Sequence, residues 1–100
     1  MSVAGTWDLT ISTPIGRISP RMRLTERGGA LSGVAWNEGE EPGELVGLTL
    51  EGDLLTWRQA VTRPLRLDLV FALTVDGDRM TGTSKAGRLP ASRVVARRAV

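Results

Sequence analysis

One hundred residues, with 13 basic and 11 acidic side chains and a formal charge of +2, are enough for one ordinary domain with a core of its own. Cysteine, histidine and tyrosine are all absent, which removes disulfides, thiolate nucleophiles, imidazole bases and the usual zinc ligand sets. Asp, Glu, Lys85 and arginine remain for acid–base chemistry and only hard oxygen ligands for a metal, so no cofactor and no metal site are expected.

The opening stretch MSVAGTWDLT has no basic segment leading into an apolar one, and no apolar run approaches the roughly 20 residues that cross a bilayer. The expectation is a cytoplasmic protein with no membrane partner. Apart from Arg93, Arg97 and Arg98 the arginines are scattered along the chain. Nucleic-acid binding usually shows a clustered basic stripe interleaved with aromatic residues, so no nucleic acid is expected either.

In chain order, apolar and polar residues alternate and glycine turn signals recur every ten to fifteen residues, while helical periodicity is missing. The pattern predicts an all-β, single-domain, eight-stranded antiparallel up-and-down barrel, with a sandwich as the alternative. The expected strands are Ala4–Ser12, Arg17–Glu26, Ala30–Asn37, Glu44–Leu50, Leu54–Thr62, Leu65–Val75, Arg79–Lys85 and Leu89–Arg98. Gly28-Gly29, Gly52-Asp53 and Gly77-Asp78 supply tight hairpins. The other connections, Ser12 to Gly16, Asn37 to Gly43, Arg63-Pro64 and Ala86 to Pro90, each contain a proline. In a meander these two kinds of connection fall at opposite ends, giving a closed floor and a structured mouth.

Thr6-Trp7, Pro14 and Leu31-Ser32-Gly33 recur as Thr56-Trp57, Pro64 and Met80-Thr81-Gly82. This suggests two similar four-stranded halves, about 4–50 and 54–99. Neither would bury its apolar face or pair its edges alone, so closure of one on the other is expected.

Strand alternation assigns the inward side chains. They are Trp7, Leu9 and Ile11; Ile18, Met22 and Leu24; Val46, Leu48 and Leu50; Leu55, Trp57, Gln59 and Val61; Leu65, Leu67, Leu69, Phe71, Leu73 and Val75; and Met80, Gly82 and Ser84. An eight-stranded barrel is just wide enough to be filled by such side chains or to hold one small ligand. A ligand suited to this lining is apolar or aromatic, with Gln59 and Ser84 as polar handles.

Gly5-Thr6-Trp7 at the head of the first strand, followed by the hairpin Gly29-Ala30-Leu31-Ser32-Gly33, resembles the opening of the calycin barrels, particularly avidins and lipocalins. The resemblance covers the first third of the chain. It implies a barrel, a bias toward small-molecule binding, and a tryptophan, Trp7, packed across the barrel base. The chain lacks a later lipocalin signature segment and a counterpart of the avidins' polar ligand set, so neither biotin nor a particular lipid is implied. Small calycin-like barrels also include cofactor-free cyclases and isomerases, an analogy that keeps an enzymatic reading open.

The expected ligand-binding residues are Met22, Trp36, Trp57, Gln59, Leu67, Leu69, Phe71 and Ser84, with no catalytic residue assigned. Trp36 sits beside the acidic loop 37–44, where it suits a ligand at the mouth or an oligomer contact. That loop lacks the Asp/Asn spacing of a calcium loop and reads as solvated. Gln59 is either a core amide bonded to backbone or the group that orients a ligand carbonyl or hydroxyl. Ser84 has no histidine to activate it. Arg58, Arg63 and Arg66 lie near the mouth, either attracting an anion or keeping the outer face soluble. Three functions follow: a barrel that binds a small apolar or aromatic molecule, a cofactor-independent cyclase or isomerase, or a filled module that forms a homodimer through outer apolar residues such as Val34, Val70 and Ala72.

Overall fold

A computed structural model describes residues 3–13, 16–61 and 67–99, with the side chains of Val61 and Leu67 excepted. The described chain runs through β1 (Gly5–Thr13), β2 (Gly16–Ile18), β3 (Arg21–Arg27), β4 (Ala30–Trp36) and β5 (Gly43–Glu44). It continues through β6 (Val46–Glu51), β7 (Leu54–Val61), β8 (Leu67–Asp76), β9 (Arg79–Ala86) and β10 (Ser92–Arg98). All belong to one sheet in the order β5-β4-β3-β1-β10-β9-β8-β7-β6, with β2 also on β1. Every ladder is antiparallel, and the first and last strands pair from Trp7↔Arg98 to Ser12↔Arg93. The result is an all-β, nearly closed barrel rather than two separate layers.

Among the described residues ten strands replace the expected eight, because two predicted strands break. Arg17–Glu26 divides at Ser19-Pro20, where proline has no N–H to give the ladder. The Pro20 carbonyl instead accepts the Leu9 N–H at 2.9 Å, leaving β2 on the far end of β1 and β3 on its near end. Glu44–Leu50 divides at Leu45. Before it, β5 pairs with β4, and the Leu45 N–H donates to the Gly33 carbonyl at 3.0 Å. After it, β6 pairs with β7. One bent segment therefore closes the barrel by bonding first to one neighbour and then to the other.

The last strand begins at Ser92 rather than Leu89, because the Leu89 N–H closes a turn on the Ala86 carbonyl at 3.0 Å just before Pro90. The tight turns Gly28-Gly29, Gly52-Asp53 and Gly77-Asp78 occur as expected, with each of their glycines at positive φ. The predicted strand ends Thr62 and Leu65 and the connection Arg63-Pro64 lie outside the described residues, as do Pro14 and Ile15 in the first loop.

Alternation places most of the core correctly. Trp7, Leu9, Ile11, Met22, Leu24, Leu55, Trp57, Phe71, Leu73 and Met80 are buried, joined by Val94 and Ala96 of β10. Burial of side chains of this size contributes about 1.5–3 kcal/mol each.

Three expected inward residues are not inside. Val46 is 53% exposed, because the register shifts between Val46↔Arg58 and Thr49↔Thr56, whereas Leu50 pairs with buried Leu55 and is 37% exposed on β6, the last strand in the sheet order. Gly47 and Leu48 together oppose Trp57, a β-bulge that reverses the in–out phase of the strand. Val46 is thereby turned outward, while Leu48 packs against the core. Ile18 is 45% exposed because it belongs to the three-residue β2, which has β1 as its one ladder partner among the described strands.

Candidate ligand-binding interior

The interior is organised around two fully buried indoles with different surroundings. Trp7 lies on β1 between Met22 of β3 and Arg98 of β10 in the ladder. Its Nε1–H donates to the Val3 carbonyl at 2.9 Å. The Arg98 guanidinium lies 4.5 Å from the ring centroid, a cation–π contact. Arg98 is itself fixed, donating from Nη1 to the Ala4 carbonyl at 2.7 Å and from Nε to Asp78 Oδ1 at 2.8 Å. Gly5 makes room for this clamp, since a Cβ there would come within 2.8 Å of Arg98 Nη1. The end bearing the tight turns is thus sealed by polar groups that satisfy one another.

Trp57, on β7, is 2% exposed and stacks on Phe71 of β8 with centroids 4.7 Å apart and planes 8° from parallel. Its Nε1–H is buried and has no hydrogen-bond partner among the described residues. Indole nitrogen is only a donor, and a buried tryptophan N–H is normally bonded. Leaving one unpaired costs about 1–3 kcal/mol. The Gly47-Leu48 bulge lies directly across from this residue, and bulges are over-represented beside functional sites.

The register extends the site from Trp57. Phe71 pairs with Trp57 on one side and Ser84 of β9 on the other. Ser84 is 4% exposed and is the one buried polar residue among those described. One step toward the proline-bearing loops, Gln59 pairs with Leu69 and Leu69 with Ala86. All three are half-buried. The interior therefore becomes less tightly covered toward that end.

Trp57, Gln59, Leu69, Phe71 and Ser84 are thus brought together. Leu67 continues β8 and pairs with Val61, its side chain lying outside the described set. Met22 stands instead beside Trp7. Trp36 takes the opposite phase from the buried Ala35 and pairs with exposed Arg21, which puts it on the outer face, apart from the interior group. Arg58 also points outward, across from Val70, and Arg63 and Arg66 lie outside the described residues.

The acidic loop bonds largely to itself, with Glu40 N–H donating to the Asn37 carbonyl at 3.0 Å and Asn37 Nδ2 to Glu40 Oε2 at 3.3 Å. Among the described residues, two of the concavities lie on the outside of the barrel. One, of about 290 Å³, lies along β3, β4 and β5 and includes Arg23, Ser32 and Glu44. The other, of about 500 Å³, lies along β9 and β10.

Sequence reasoning missed the Val3 carbonyl, the Arg98 clamp and the bulge. A Gly47-Leu48 pair that puts a glycine inside an expected strand was the available signal for the last of these. No family model, curated protein or solved structure matches the chain.

Proposed function

We propose that the barrel binds a small apolar or aromatic molecule bearing a hydrogen-bond acceptor, taken up through the end with the proline-bearing loops and held against Trp57 and Phe71. The observation that carries this reading is the unpaired, buried Trp57 Nε1–H. A ligand carbonyl or ether oxygen is its natural partner, and the stacked pair offers the ligand aromatic surface. Gln59, half-buried one row nearer the loops, orients a second polar atom, and Ser84 offers a hydroxyl on the far side of Phe71. A calycin-like architecture suits such a role. Among the described residues no carboxylate or cation is buried, which weights the reading toward binding over cyclase or isomerase chemistry.

The test is native mass spectrometry of protein purified from its source, with solvent extraction of any co-purifying molecule, beside tryptophan fluorescence titrations with aromatic carbonyl compounds and lipids. Uptake of one compound class is expected, and Trp57→Phe should weaken it about fivefold, the effect of one neutral hydrogen bond. Recovery of no small molecule, with fluorescence indifferent to the whole panel, overturns the reading. A filled barrel that self-associates through exposed apolar residues such as Val46, Leu54 and Val70 would then take its place.

A further inference from the structure

The arginines that are scattered along the sequence are gathered by the register onto one outer face. Thr83 of β9, Arg93 of β10, Ser12 of β1 and Arg17 of β2 are successive partners across the sheet, and this row contains no carboxylate. Arg79 and Arg97 oppose each other two ladder positions away from the Thr81↔Val95 pair. Like charges directly opposite on a sheet are destabilising. The acids nearby are Asp76, opposite Arg79, and Asp8, opposite Arg97. Asp8 is engaged by Arg21 at 2.8 Å. Among the described residues, Arg17, Arg79, Arg93 and Arg97 have no salt bridge.

Between these cations the surface is concave. The groove of about 500 Å³ is lined by Arg79, Thr81, Thr83, Arg93 and Val95, with Ala91 at its edge. Strand geometry places Arg79 and Thr83 roughly 13 Å apart along β9, so the groove has a cation at each end and hydroxyls along its floor. Guanidinium groups paired with hydroxyl donors suit phosphate oxygens. No aromatic residue lines the groove, so recognition would rest on the phosphates and not on stacked bases.

We infer that the outer groove of β9 and β10 binds an oligophosphate, free or as the backbone of a short nucleic-acid strand, with Arg93 and Thr83 holding one phosphate and Arg79 another. The site is independent of the barrel interior, on the opposite face of the same strands.

The experiment is isothermal titration of the full chain with tripolyphosphate and, separately, with a six-residue oligothymidylate, with amide chemical shifts followed at Thr81 and Thr83. Saturable binding is expected, weakening roughly tenfold between about 50 and about 200 mM salt for two neutralised phosphates. Arg93→Ala and Arg79→Ala should each lower affinity about tenfold. Arg27→Ala, which removes the same charge from the exposed end of β3, should leave it unchanged. Binding of tripolyphosphate alone identifies a free oligophosphate as the ligand, and binding of the oligonucleotide alone or of both extends it to a strand. Absence of binding by either probe at low salt, or equal losses in all three variants, overturns the inference.

Discussion

Trp7 and Trp57 begin from matching Thr-Trp dipeptides, are both almost wholly buried and sit on strands of similar length, yet their surroundings answer the indole in opposite ways. Around Trp7 the donor is bonded to Val3, the ring face is covered by Arg98, and Arg98 is held by Ala4 and Asp78. Around Trp57 the ring face is covered by Phe71, the neighbouring strand bulges, and the donor is unpaired. One indole is locked into the floor of the barrel. The other keeps a polar group in reserve at the expense of stability, the pattern expected where a protein retains a site.

Substitution of the same atoms at both places measures this difference. Trp7→Phe removes the bond to Val3, leaves that carbonyl unpaired and thins the cation–π contact. A loss of about 2–4 kcal/mol is expected, which for a domain of this size lowers Tm by roughly 10–25 °C, read by thermal denaturation. Arg98→Met keeps an apolar cover over Trp7 but abandons the Ala4 carbonyl, and should cost about 1–2 kcal/mol in urea unfolding. Little of that comes from the ion pair with Asp78, whose side chain is 73% exposed. Asp78→Asn should therefore stay within about 0.5 kcal/mol of the parent.

Gly47→Ala probes the other side. The residue has φ +65°, and an added Cβ meets only the Arg58 guanidinium at ordinary contact distance, 3.5 Å. The expected cost of about 1 kcal/mol is backbone strain alone. A much larger loss would show that the bulge opposite Trp57 carries packing as well as shape.

The sequence exposes these two regions unequally. Alternation of period two made β1, β9 and the described side chains of β8 legible down to individual residues, because these keep one phase. The fourth expected strand failed for a definable reason: a single extra residue at Gly47-Leu48 reverses every side chain before it, and periodicity cannot see which of two registers the partner strand selects. Pro20 inside the second expected strand was a visible warning of a break. The candidate site was legible in its apolar members, Trp57, Leu69 and Phe71, and in Ser84, since all follow from alternation. The pairing state of an indole N–H depends on groups far off in sequence, as Val3 and Arg98 show at Trp7, so no local pattern announces it. The same holds for the basic face, which exists only because β9, β10, β1 and β2 lie side by side.

The most discriminating substitution is one whose expected effect on stability is small. Trp57→Phe removes a similar volume to Trp7→Phe from a buried stack, a loss of about 1 kcal/mol for the space left behind. It also removes the unpaired donor, which returns about 1–3 kcal/mol. The two contributions nearly cancel, so urea unfolding should place the variant within about 1 kcal/mol of the parent, while Trp7→Phe falls well below. Phenylalanine retains the ring that stacks on Phe71 and discards only the N–H and the second ring, so ligand uptake should become weaker and less selective for acceptor-bearing compounds. If Trp57→Phe proves as damaging as Trp7→Phe, the Trp57 nitrogen has a structural partner in solution, and the contrast between the two indoles, with the binding site drawn from it, fails.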